Sequence, residues 1–330
     1  MSGATVNTVM GAVEAKDLGR TLMHEHIVFG YPGWYGDLSV APYDREAALE
    51  AGLELMDRVK EYGVNALVDA TPNDCGRDVE LLREISERTG VHIICSTGYY
   101  HEGEGAPVYF KIRNKVGDAV AEIHELFVKE ITEGIGGTGI KAGVIKVASG
   151  KNVITDYDKL FFKAAARAQQ DTGVPIITHT QAGTMGPEQA RLLISEGADP
   201  GRIMIGHMSD STDIRYHVRV LNEGVFVGID RLGLQYIVGC PWDVERYAVI
   251  IGLVGIGYAD RLMFSHDWVA YWMGRETPMS EAAVPLLGNW YPTHLFKNVI
   301  PALKKGGVSE AQIKTMIEGN PRRLFEGGPA

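Results

Sequence analysis

Thr21-Leu22-Met23-His24-Glu25-His26-Ile27-Val28 reads as a short apolar strand carrying two histidines two residues apart. Side chains alternate along a strand, so His24 and His26 share a face. Two imidazoles side by side on a rigid element form half of a zinc-type ligand set. Alone, the pair reads equally as two satisfied histidines in an ordinary strand. The rest of the chain decides between these readings.

The pattern around this stretch repeats. Apolar strands are predicted over Thr21–Val28, Asn65–Thr71, Val91–Gly98, Lys141–Ala148, Val174–Thr180, Arg202–Met208, Val225–Asp230 and Arg261–Asp267. Helical windows lie between them: Arg45–Tyr62, Arg77–Thr89, Asp118–Glu133, Tyr157–Thr172, Pro187–Glu196 and Thr212–Glu223. Gly63, Gly90, Gly173 and Gly224 each follow a helical run, where a stop is expected. Alternating strands and helices of this length make parallel βα units. Eight of them predict an α/β fold, a (β/α)8 TIM barrel with its site at the C-terminal strand ends. Residues 3–17 suggest a short hairpin closing the bottom of the barrel. The tail from Pro292 to Phe325 suggests two further helices, with Asn320-Pro321 as a break. No linker or low-complexity segment interrupts residues 1–330, which read as one domain.

The predicted strand ends hold an unusual set. Strand one carries His24 and His26, strand four Lys146, strand five His179, strand six His207, strand seven Asp230 and Arg231, and strand eight Asp267. Burying such groups singly is costly; burying them together makes sense if they share ligands. Two divalent cations would bring four positive charges to four neutral imidazoles and the single carboxylate of Asp267. A free Lys146 ammonium would be repelled there. A carbamate formed on Lys146 from carbon dioxide would instead be an anion able to bridge both metals.

Composition narrows the partners. The 330 residues carry a formal charge of −10, which argues against nucleic acid. Cys75, Cys95 and Cys240 are odd in number and widely spaced, pointing to a reducing compartment and away from a cysteine metal site. No run of 18 apolar residues predicts a membrane span, and no secretory signal is read at the N-terminus. The expectation is a cytoplasmic protein.

On Met23-His24-Glu25-His26, Gly143-Val144-Ile145-Lys146, Thr178-His179-Thr180, Gly206-His207 and Ser265-His266-Asp267, the chain resembles the phosphotriesterase family of the amidohydrolase superfamily. Within it, the resemblance is to the phosphotriesterase-like lactonases, and it runs from about Leu18 to Phe325. It implies that His24, His26 and Asp267 hold a buried metal and His179 and His207 a more exposed one. N6-carboxylated Lys146 and a hydroxide would bridge the two. It also implies a homodimer and promiscuous triesterase activity beside lactone opening, with N-acyl-homoserine lactones or related γ/δ-lactones as substrates and a role in quorum quenching. The ligand types accept zinc first, and cobalt, manganese or iron as well.

Tyr100 matches the tyrosine that the lactonases place over the metals, and strand parity turns Tyr99 away. Arg231 matches the lactonase pattern, where the triesterases have histidine. Asp230 is a candidate partner in a proton path from the metal site. A plain barrel-mouth salt bridge is the alternative for Asp230 and Arg231. All five tryptophans (Trp34, Trp242, Trp268, Trp272, Trp290) follow strands one, seven and eight. A mouth lined by Leu232, Trp268, Tyr271, Trp272 and Met273 would suit an apolar tail, although long loops also need small cores of their own. Trp268 and Ala148-Ser149-Gly150-Lys151 lean toward the triesterases. The loops at 238–242 and 271–290 depart from the best-known lactonases. His92, His101, His124, His217, His266 and His294 read as structural.

Three rivals stand beside the lactonase reading: an aryldialkylphosphatase or carboxylesterase of the same superfamily, a Schiff-base lyase using Lys146, and a non-catalytic barrel. The lyase leaves four histidines unexplained. The non-catalytic barrel predicts a missing ligand, and none is missing.

Overall fold

The computed structural model describes residues 4–237, 239–276, 280–281 and 283–327. Val238, Thr277, Pro278, Met279 and Ala282, in the two departing loops, lie outside the described residues. The expected hairpin forms from β1 (Thr5–Thr8) and β2 (Gly11–Glu14). Val6 packs with Leu18, Leu324 and Phe325 in one apolar cluster, which plugs the N-terminal end of the sheet.

Among the described residues nine strands then form one sheet: β3 (Arg20–Phe29), β4 (Val64–Asp69), β5 (His92–Gly98), β6 (Val144–Ser149), β7 (Ile176–Thr180), β8 (Ile203–Ile205), β9 (Phe226–Ile229), β10 (Leu262–Phe264) and β11 (Val269–Trp272). Every ladder is parallel, and neighbours follow chain order from β3 to β10. β10 pairs with β9, and β11 pairs with β3. Together they make the eighth stave and close the (β/α)8 barrel. Two backbone bonds complete the seam: Asp267 N–H to the His24 carbonyl at 3.1 Å and His26 N–H to the Trp268 carbonyl at 2.8 Å.

The expected strand Arg261–Asp267 therefore needs correction. Its ladder stops at Phe264 and resumes at Val269, because Asp267 is in the left-handed region at φ 54°, a conformation short polar side chains tolerate.

Alternation sorts the strand residues. Ala66, Val68, Ile94, Val144 and Ile177 fill the barrel interior, while Leu67, Ile93, Ile145 and Ile176 pack under the helices. By the same parity Lys146 faces inward with Val144. In β3 the register against β4 shifts between Leu22 and Glu25. Past that shift Glu25 reaches the outer layer, and His24 and His26 turn to the barrel axis.

The six predicted helices appear at Arg45–Lys60, Val79–Thr89, Ala119–Thr132, Asp156–Thr172, Gly186–Ser195 and Ile214–Leu221. Gly90 and Gly173 end two of them at φ 74° and 72°, where a Cβ would be strained. Two helices went unread, Tyr109–Val116 and Asp243–Gly255.

The expected break at Asn320-Pro321 is absent. A π turn at Thr315–Gly319 runs into helix Asn320–Glu326. The wider turn makes room for a proline ring and its missing N–H. The Asn320 amide donates to the Ala259 and Leu262 carbonyls and anchors this tail beneath β10.

Candidate active site

The predicted set converges at the C-terminal strand ends. The ring centroids of His24 and His207 lie 4.6 Å apart, those of His24 and His26 5.5 Å, and those of His179 and His207 4.4 Å. Lys146 Nζ is 2.8 Å from His24 Nε2. Asp267 Oδ1 is 3.1 Å from His26 Nε2 and 3.5 Å from His24 Nε2. Donor atoms of His24, His207 and Asp267 all lie within 4.8 Å of one another. His207 and Asp267 both hold left-handed backbone, at φ 56° and 54°, a strained conformation that collects at functional sites.

The surroundings fix which nitrogen each ring presents. A carboxylate only accepts. The Asp230 carboxylate accepts from His24 Nδ1 at 2.8 Å, and from His207 Nδ1 at 3.1 Å and backbone N–H at 2.7 Å. The Thr71 hydroxyl donates to the Val28 carbonyl and accepts from His26 Nδ1 at 2.8 Å. All three rings are thus left with an Nε2 lone pair for the centre, the form a metal takes. Burial, then Lys146, lowers the His24 imidazolium to about 3, and burial with His207 holds His179 well below its ordinary value. Both rings are therefore neutral at pH 7. Burial opposes ionisation of Asp267, but His207 and Arg231 outweigh it and hold the carboxyl well below the usual range. Burial also brings the Lys146 ammonium down to about 8, so a measurable share of the amine is neutral near pH 7. These neutral imidazoles, the one carboxylate and a deprotonatable lysine are chemically suited to divalent metal ions.

Asp230 sits behind the histidines and positions two of them. Arg231 is at once a salt bridge and a site residue: its Nε donates to Asp267 Oδ2 at 2.8 Å and an Nη to Asp210 Oδ2 at 2.7 Å. Asp210 escaped the sequence reading. Its signal was position, a carboxylate three residues past the strand-end His207. Glu25 was missed likewise. It accepts from Ser265 and from the His266 ring and backbone, turning His266 outward as parity predicts.

Above the cluster lies a cavity of about 450 Å³. Tyr100 enters it with its hydroxyl 3.5 Å from His179 Nε2, while Tyr99 packs outward against Phe110 and Phe161. The walls come from Phe29, Tyr31, Leu234, Ile237, Trp272 and Trp290. Of the five expected wall residues only Trp272 lines it. Leu232 is fully buried in the outer core. Trp268 packs edge-on against Trp290. The Tyr271 ring meets Tyr43, and its hydroxyl accepts from Asp44 N–H. Met273 lies close over Gly30 and Gly76, where a Cβ at Gly76 would come within 2.2 Å of its sulfur. Alternation breaks here in both strands together: Val269 pairs with His26 and Trp272 with Phe29, and all four face the cavity although the two in each strand are three residues apart. Trp34 packs with Tyr43, and Trp242 stacks on Tyr236.

The sequence model described as the Phosphotriesterase family matches residues 4–325. The chain belongs to the phosphotriesterase family. An organophosphorus hydrolase from Deinococcus radiodurans is 54% identical with a TM-score of 0.96, covering 98% of this chain and 97% of that one. A mutant of a Deinococcus radiodurans PTE-like lactonase is 53% identical with a TM-score of 0.95, covering 97% of this chain and 100% of its own. An aryldialkylphosphatase from Saccharolobus solfataricus is 36% identical over 322 residues, 95% of this chain and 97% of the relative. Phosphotriesterase-family members are binuclear metal hydrolases of small lactone or organophosphate substrates, and this chain is a hydrolytic enzyme with a candidate His/Asp metal site. Among the described residues no helix is long and apolar enough to cross a membrane.

Proposed function

We propose that this phosphotriesterase-family enzyme opens lactones, N-acyl-homoserine lactones or related γ/δ-lactones foremost, and hydrolyses organophosphate triesters as a side activity. The observation that carries the reading is Tyr100, a phenol held over the His/Asp/Lys cluster at the floor of an apolar cavity. His24, His26 and Asp267 would hold one metal and His179 and His207 the other, with carboxylated Lys146 joining both. Carbamate formation consumes a neutral lysine amine and carbon dioxide and releases a proton, and the lowered Lys146 makes that amine available. Two bound divalent ions, zinc in our reading, would supply an activated water and polarise the scissile carbonyl.

The protein's own groups do the rest. Burial pushes the Tyr100 phenol well up, so it stays protonated and offers its O–H to the ring oxygen of a lactone. Asp267 would take the nucleophile's proton and pass it to the leaving alkoxide. Arg231 steadies Asp267 through its 2.8 Å bond. Phe29, Ile237 and Trp272 exclude water and seat the acyl chain. We further propose that the enzyme works as a cytoplasmic homodimer, quenching lactone signals.

The second reading, a primary triesterase, is favoured by the aryldialkylphosphatase relative and by Trp268. A pH-indicator assay on metal-loaded enzyme separates the two. Its panel holds acyl-homoserine lactones of several chain lengths, γ- and δ-lactones and paraoxon, with Asp267→Asn as control. Lactone kcat/KM at least about a hundredfold above paraoxon, some 2.7 kcal/mol of transition-state preference, supports the lactonase. Paraoxon ahead, or inert lactones, supports the triesterase.

A further inference from the structure

We propose that Gln181 is a positioning residue that decides which nitrogen His179 turns to the metal site, with Glu104 holding Gln181 in the required orientation. The proposal rests on the binuclear reading above.

His179 is the exception among the four site histidines. The other three are held at Nδ1. His179 is held at Nε2, 2.6 Å from Gln181 Oε1. An amide oxygen only accepts, so this bond puts the ring proton on Nε2 and leaves the lone pair on Nδ1. The Gln181 amide is itself oriented. Its Nε2 donates to Glu104 Oε1 at 3.0 Å. A flipped amide would set its oxygen against the Glu104 carboxylate, losing that bond, and its NH2 would call for the other tautomer of His179, with the lone pair on Nε2. The acceptor-only character of Glu104 therefore passes through one amide to the tautomer of His179. The other Glu104 oxygen faces His101 Nε2 at 3.7 Å. His101 is buried, and its ring stacks on His179 at 5.6 Å, which closes the far side of this chain of groups. Outer partners of this kind commonly change metal affinity by roughly 10–100-fold.

The test titrates Co²⁺ into metal-free full-length enzyme, following bound equivalents by mass spectrometry and the visible absorption of each site. Wild type should take two ions. Gln181→Met should keep the His24/His26/Asp267 ion, which doubles as the folding control, and bind the second about 10–100-fold more weakly. The swapped pair Gln181→Glu with Glu104→Gln puts an acceptor-only group directly on His179 Nε2 and should bind both ions like wild type. Unchanged second-site affinity in Gln181→Met would overturn the proposal. So would equal loss in the swapped pair, which would mark the segment as merely structural. A wild-type chain taking fewer than two ions would overturn the binuclear reading itself.

Discussion

Arg231 joins Asp267 to Asp210 through two short bonds, Nε to Asp267 Oδ2 at 2.8 Å and Nη to Asp210 Oδ2 at 2.7 Å. Asp210 is fully buried, and the other two are nearly so. Removing the guanidinium leaves two carboxylates in a site with little water. Arg231→Met should cost the metal-free protein about 3 kcal/mol, seen as a lower urea midpoint at unchanged slope. Asp210→Asn in the same background should recover part of it. A loss under about 1 kcal/mol, the range of an exposed ion pair, would show that burial does not govern this pair.

Asp230 holds His24 and His207 with one oxygen each. An asparagine offers one acceptor and one donor, so it can satisfy only one Nδ1–H. Asp230→Asn should keep the fold and weaken metal binding about 10–100-fold, read by competition with a chromogenic chelator. Wild-type affinity would remove Asp230 from the metal site's support.

How much of this was legible depends on how far apart the deciding residues lie. His24 with His26, Lys146 with Val144, and Tyr100 against Tyr99 follow from alternation within one strand, and the structure places each as parity requires. The cavity wall does not follow from one strand. Plain alternation from the inward Val269 would pick Tyr271, and Trp272 faces inward instead because it pairs with Phe29, which also sits three residues past an inward His26. That pairing follows a left-handed Asp267 which nothing local announces. Asp210 gains its meaning from partners well along the chain, Arg231 21 residues on and Arg246 beyond it. The continuity through Pro321 depends on a π turn that composition does not signal.

Asp74 carries a pH dependence of stability. Both its oxygens accept from the Tyr100 N–H, at 3.1 and 3.3 Å, and burial pushes its carboxyl from 3.8 up to about 6. The folded state thus holds this proton more tightly than the unfolded chain. The resulting stability is fully present below about pH 4 and lost as pH rises through about 6. Asp74→Asn keeps an acceptor and removes the charge. Above pH 7 it should gain on the order of 1–3 kcal/mol over wild type, shrinking toward pH 4, in urea melts of the metal-free protein. A gain that does not vary with pH would assign the effect to packing.

Trp272 and Tyr271 are adjacent but serve different faces. Trp272 edges the cavity beside Phe29, with ring centroids 5.6 Å apart. Tyr271 caps the start of the Arg45–Lys60 helix through Asp44 N–H. An acyl chain packed on the indole gains apolar burial, at about 25 cal/mol per Å². Trp272→Ala should therefore raise KM for long-chain acyl lactones roughly tenfold, about 1.4 kcal/mol, and leave short-chain lactones near wild type. Tyr271→Phe should lower stability by about 0.5–1 kcal/mol through the lost acceptor, with the chain-length profile unchanged. The opposite pattern, a profile that moves with Tyr271 and not with Trp272, would mean that β11 keeps plain alternation from Val269 and turns Tyr271, not Trp272, to the cavity.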